Sequence, residues 1–270
     1  MSATRLIFTA DDFGLHASVN EAVEQAHRAG VLTAASLMVG APGMAEAVRI
    51  ARRNPGLGVG LHVVLTDGLP VLPAARIPAL TQPNGRFRDD MAGLGLTLAT
   101  SRVARAELAA EIGAQLARFA EAGLKPDHIN AHKHYHLHPV IFAHVAGAAG
   151  FPAMRLPQED GGPIVQNLWC RALRSRGLPA PDRVVGLRWS GAFTAERVLE
   201  ALARLRPGVT EFYFHPATSD EVPGGAPGYR YREELAALTD PTVIAAVAGI
   251  PRGGYAAMLG GGERAAVVGR

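Results

Sequence analysis

Four histidines, His132, His134, His136 and His138, occupy every second position of HKHYHLHP. Imidazoles bind divalent metals and move protons near neutrality. Alternate residues of an extended chain share a face, so a strand continuing through this run would line one wall with all four. A single catalytic zinc-type ion takes three protein ligands and keeps a position open for water, so it cannot use them all. Asp11 and Asp12 adjoin in TADDFG, and paired carboxylates at a strand end ask for a metal or an arginine partner. Capping the following helix is their simpler use. His62 stands in the otherwise apolar GLHVVL, where a lone histidine is ordinarily a satisfied core residue, and it gains weight from the second histidine source. With Asp12 and His62 counted, one more ligand suffices, and the strand-proximal His132 is the candidate. His134 and His136 are then left to surround the ligands or meet substrate, and His138, before Pro139, to open the next helix. His215 in YFHPA suits a ligand, a general acid or a structural role, its unperturbed pKa of about 6.5 fitting proton donation near neutrality. Arg155 in AMRLP is placed to pair with Asp11 and hold it ionised.

These residues sit at or just past the ends of short apolar runs. RLIFTA precedes the two aspartates, and SVNEAVEQAHRAG follows with helical spacing and a terminal glycine. The strand–loop–helix unit recurs through LTAASLMVG, LGVGLHVVL, DHINAH, AMRLP, VVGLRWS and VTEFYFH, with helical stretches such as RAELAAEIGAQLARFAEAG and AERVLEALARLRPG between them. Such alternation predicts an α/β fold of parallel strands, either a (β/α) barrel or an open doubly wound sheet. In a barrel, residues at the C-terminal ends of different strands meet on one face. Two stretches rich in proline and glycine, 66–90 and 216–231, are long enough to cover a substrate. A single domain over 1–270 is expected, with residues from about 260 onward a frayed tail.

Composition narrows the function classes. Of 27 cations only Lys125 and Lys133 are lysines, and no dense basic run interleaves with aromatics, so nucleic acid is not an expected partner. Cys170 is the single cysteine, which excludes an internal disulfide and a cysteine-built metal site. No apolar run reaches the roughly 18 residues of a membrane span, and MSATRLIFTADDFG lacks the basic start of a signal peptide. A cytoplasmic protein is expected, with peripheral contact at the inner membrane face left open. The serine-hydrolase elbow and the phosphate-binding glycine loops are missing. A metal-dependent phosphoesterase and a non-catalytic metal or sugar binder are the alternatives to an amide hydrolase.

The stretches TADDFGLHASVNEAVEQAHRAGVLTAASLMVGAP, VGLHVVLTDGLPV, PDHINAHKHYHLHP and FHPA resemble the YdjC/ChbG family of carbohydrate deacetylases over nearly the whole chain. AASLMVGAP, LHVVLTDGLPVLP and NGRFRDDM are most similar to its hopanoid-biosynthesis branch, HpnK. The resemblance implies a (β/α) barrel-like sheet with one divalent metal at the strand C-termini on Asp12, His62 and His132, Asp11 as catalytic base and His215 as the histidine of the C-terminal motif. It implies removal of an N-acetyl group from an amino-sugar substrate, lipid-linked in the hopanoid branch. Lys133 departs from the family pattern, where another histidine is common. Two imidazoles and a carboxylate favour Zn²⁺ by ligand type, whereas the resemblance points to Mg²⁺.

Overall fold

The computed structural model describes residues 3–260, and the tail expected to fray lies outside the described residues from 261 on. In chain order the elements are β1 (Thr4–Phe13), α1 (Ala17–Ala29), β2 (Ala34–Leu37), α2 (Met44–Arg53), β3 (Gly58–Val63), α3 (Met91–Thr100), α4 (Arg102–Glu121), β4 (Pro126–Ala131), α5 (Pro139–Ala146), α6 (Ile164–Arg174), β5 (Arg183–Val185), α7 (Ala195–Leu202), β6 (Gly208–Phe214), α8 (Tyr231–Leu238), α9 (Pro241–Ala246) and α10 (Tyr255–Leu259). The six strands form one parallel sheet in the order β4-β3-β2-β1-β6-β5. It curls into a half-barrel with flanking helices, the barrel-like member of the two folds the alternation allowed. Among the described residues no helix is long and apolar enough to cross a membrane.

The expected strand at AMRLP is reduced to a seam. Ile129 N–H donates to the Ala153 carbonyl at 3.0 Å, Arg155 N–H to the Ile129 carbonyl at 3.1 Å, and Val184 N–H to the Gln158 carbonyl at 2.8 Å. Residues 153–158 thus run between the two sheet edges, β4 and β5. Pro152 precedes the stretch and Pro157 lies within it, and each lacks the donor that a regular ladder needs. The first helix also starts differently from the sequence expectation. His16 caps α1 by accepting the Ser18 N–H, so the aspartates do not serve as its cap.

Strand alternation divides the sheet's two faces. Leu6 and Phe8 of β1 and Phe212 and Phe214 of β6 join the main core, where Phe8 stacks on Phe212 with ring centroids 5.1 Å apart. The concave face takes the other parity: Ile7 and Asp11 of β1, Ser36 of β2, His62 of β3, His128 and Asn130 of β4, and Glu211 and Tyr213 of β6. Its lower end is apolar, where Ile7, Ala34, Ala153, Val209 and Tyr255 pack together. Above that plug the interior is polar. Arg155 is fully buried, giving Asp11 two hydrogen bonds at 2.5 and 3.0 Å and Glu211 Oε1 two more at 2.8 and 2.5 Å.

Burial alone would raise the Asp11 carboxyl, but the Arg155 guanidinium outweighs it and holds the group far below the usual carboxylate range. The stability from this depressed pKa is fully present above the unfolded value near 3.8 and is lost as pH falls below it. Urea midpoints measured against pH should therefore drop steeply on the acid side of that value, and Asp11→Asn should flatten the limb. A second prediction concerns Gly60, where an added Cβ would lie 2.4 Å from the His128 carbonyl oxygen and 2.6 Å from its ring. Neither the strand backbone nor a ring packed in the interior can yield easily, so Gly60→Ala should cost about 1–3 kcal/mol in chemical denaturation.

Candidate metal centre and active-site cavity

Consecutive strand residues point to opposite faces, yet Asp11 and Asp12 line the same cavity. The β1–β2 register slips between Ala10 and Phe13, and Asp12 takes φ 62° there. A bulge of this kind re-aims a side chain, and aspartate tolerates the left-handed region better than most residues. Asp12 Oδ1 consequently lies 3.3 Å from His62 Nε2 at the end of β3 and 3.2 Å from His132 Nδ1 just past β4. One donor atom from each residue falls within 4.8 Å of the other two.

The histidine run does not form a wall. The strand stops at Ala131, and Lys133 and His134 both adopt φ 53°, coiling the chain through 132–137. His132 alone of the four joins Asp12 and His62. His134 lines the same cavity with its ring edge-on to Tyr213 at 5.4 Å, and burial with Arg155 nearby keeps it well below the ordinary imidazole range. His136 is buried and donates from Nε2 to the Arg155 carbonyl at 2.8 Å, with burial pushing its pKa down to about 4. It therefore braces the arginine segment without reaching the cavity. His138 occupies the N-cap position of α5 but makes no capping bond through its side chain.

The donor set suits a divalent cation on two counts. Asn130 donates from its amide to Ser36 Oγ at 2.9 Å and to Asp11 at 3.3 Å, which turns its oxygen toward His62 Nδ1 at 2.7 Å. His62 must donate from Nδ1, so in the neutral ring Nε2 presents a lone pair to the Asp12 carboxylate. Two acceptors facing one another require a proton or a metal between them. The formal charges agree: Asp11, Asp12 and Glu211 against Arg155 leave two negative charges uncompensated in the interior. Burial opposes a charged His62, yet Asp11 and Asp12 prevail and raise its pKa above the ordinary value. Asp12 is likewise held low against burial by the two histidines.

His215 follows β6 and lines the cavity beside Asp11 and Asp12. Its backbone N–H donates to Glu234 at 2.5 Å, and its Nδ1 lies 3.9 Å from the same carboxylate. Glu234, from α8, is fully buried, and burial raises its pKa. Nothing in YREEL marked it beforehand. Lys133 forms an ion pair with Asp67, whose carbonyl also accepts from Arg86 at 2.6 Å, tying the histidine run to the 66–90 loop. Within that loop Ile77, Leu80 and Phe87 are buried in the core, and Leu69 is exposed. Most of its apolar residues thus form its own packing, and Leu69 remains at the surface.

The cavity holding the triad has a volume of about 500 Å³. A second, of about 650 Å³, shares Asp67, Arg86, His132 and Gly224 with it and is walled by Leu15, Met38, Pro42, Leu69 and Pro223, interrupted by Glu46 and Arg49.

Residues 5–249 match the family described as YdjC-like protein. A carbohydrate deacetylase of Geobacillus stearothermophilus is 37% identical over 245 residues, which cover 90% of this chain and 92% of that protein. A chitooligosaccharide deacetylase of Salmonella schwarzengrund is 31% identical over 259 residues, covering 90% of this chain and 94% of its own. Among solved structures, a protein of Enterococcus faecalis V583 described as a candidate for cellobiose-phosphate cleavage superposes with a TM-score of 0.79 at 27% identity, over 96% of this chain and 100% of that one. The chain belongs to the YdjC-like family, and the matched span takes in Asp11, Asp12, His62, His132 and His215.

Proposed function

We propose that the protein is a metal-dependent hydrolase that removes the N-acetyl group from an N-acetylglucosamine-type sugar. The observation that carries this reading is the meeting of Asp12, His62 and His132 with Asp11 and His215 on one cavity. The deacetylase names of relatives that align over nine-tenths of the chain support the sugar substrate. An amide resists water because its resonance must be broken and its amine leaves poorly, so the site needs an electrophile, a base and an acid. A divalent cation on the triad would supply Lewis acidity and lower the pKa of water at the site toward about 7.

Asp11 is the base. Arg155 keeps it ionised and fixes both oxygens, which makes it a weak base suited to a water whose acidity the site has raised. His215 is the acid. Its Nδ1 is turned toward Glu234, leaving Nε2 to the cavity. Water oxygen adds to the acetyl carbon, the C–N bond breaks, and the sugar nitrogen takes a proton from His215, giving acetate and a free amine. Two imidazoles and one carboxylate favour Zn²⁺ over Mg²⁺, which prefers oxygen ligands. A phosphoesterase of the two-metal kind is less well supported, since the described residues present this one metal-ligand cluster.

The second cavity suits an apolar group carried by the sugar, and a hopanoid aglycone is the proposed occupant. That substrate would bring the protein to a membrane surface from the cytoplasmic side, with exposed Leu69 at the point of contact.

Acetate release from N-acetylglucosamine conjugates tests the reaction. Asp11→Asn and His215→Ala should each lower kcat by about 10²–10⁴-fold, His132→Ala and chelation should abolish turnover, and activity surviving all of these would refute the assignment. Elemental analysis of protein purified without added metal should find zinc. For the aglycone, a lipid-linked N-acetylglucosamine should be turned over with a lower KM than chitooligosaccharides, and Leu69→Ser should raise KM for the lipid-linked substrate only.

A further inference from the structure

Beneath the triad a buried chain of hydrogen bonds runs to the far end of the half-barrel. Asp127 accepts the backbone N–H groups of Tyr255 at 2.9 Å and Ala256 at 3.0 Å, and the Nδ1–H of His128 at 3.0 Å. A carboxylate on Nδ1 leaves His128 Nε2 as an acceptor, and Ser36 Oγ lies 2.9 Å from it. With its proton committed to His128, the Ser36 oxygen accepts from the Asn130 amide at 2.9 Å, and Asn130 turns its oxygen to His62 Nδ1 at 2.7 Å. His128, Asn130 and Ser36 are each fully buried, so no bulk water competes for these bonds. The order of donors and acceptors along the chain is self-consistent in one direction, and reversing any member leaves a buried donor facing a donor or an acceptor facing an acceptor.

We propose that Ser36 and His128, which make no hydrogen bond to the candidate ligands, are positioning residues for the metal centre: through Asn130 they lock His62 with its proton on Nδ1 and its lone pair on Nε2. This rests on the reading of Asp12, His62 and His132 as metal ligands. The ring of His62 is otherwise free to carry its proton on either nitrogen, and only one of the two arrangements offers Nε2 to a cation. Tyr255 belongs to the same device, because its ring stacks on His128 at 4.1 Å and its N–H anchors Asp127.

The test uses metal-free protein titrated with Zn²⁺ in competition with a chromophoric chelator, and the His62 Nδ1 proton observed by NMR in the zinc-loaded form. Ser36→Ala should weaken zinc binding about 10-fold, within the range typical of residues behind metal ligands, and should speed solvent exchange of that proton. His128→Phe, which keeps the stacking on Tyr255, should shift both readouts the same way. Val59→Ala, a packing change on the same sheet, should lower thermal stability and leave zinc affinity unchanged. Wild-type affinity and slow exchange in both relay variants, or an equal loss in Val59→Ala, would overturn the relay. Zinc affinity indifferent to Asp12→Ala would instead overturn the metal reading on which it rests.

Discussion

Negative charge buried on the concave face is the constraint around which the interior is arranged. Asp11, Asp12 and Glu211 are all removed from water, and Arg155 is the guanidinium set between two of them. An unpaired carboxylate in such a place is strongly destabilising, whereas one with two N–H donors is tolerated. Much that looks irregular follows from holding Arg155 in position. The seam at 153–158 replaces a regular strand where the arginine enters, and His136 is spent on the Arg155 carbonyl. The remaining imbalance falls at Asp12, where two imidazoles gather.

The geometry links this core to chemistry through the strand ends. β1, β3, β4 and β6 are separated widely in the chain, but parallel order brings their C-termini to one side. A bulge, not a loop, places Asp12, so its position is set by the sheet itself. The segments above it, 66–90 and 216–231, contribute Asp67, Arg86 and Gly224 to the wall between the two cavities. The residues proposed for chemistry are therefore carried by the sheet, and those between the two cavities by the covering loops.

The sequence pointed to this cluster of residues where residue type and strand position coincide. Asp11, Asp12, His132 and His215 follow apolar runs and His62 interrupts one, so residue type and position made them candidates, and the family resemblance gave each its expected role. Arg155 was legible for a related reason, since a buried carboxylate pair asks for a cation. Residues whose role depends on a distant partner were not. Asn130 stood in a noted motif, but an amide acquires meaning only from what it touches, and its partners lie 68, 94 and 119 positions away. Glu234 and Tyr255 reach the interior from helices after the last strand, and nothing local announces that. The turn through Lys133 and His134 was hidden because neither glycine nor proline marks its left-handed backbone. At AMRLP, Pro152 before it and Pro157 at its end did carry the warning against a full strand.

The plug formed by Tyr255 has a consequence for how the molecule is made. Asp127 and His128 emerge from the ribosome more than a hundred residues before the backbone groups that anchor them. A nascent chain can therefore pair its strands while its polar interior is still unsealed at the bottom. The groups that close it arrive with α10, after all six strands have been synthesised.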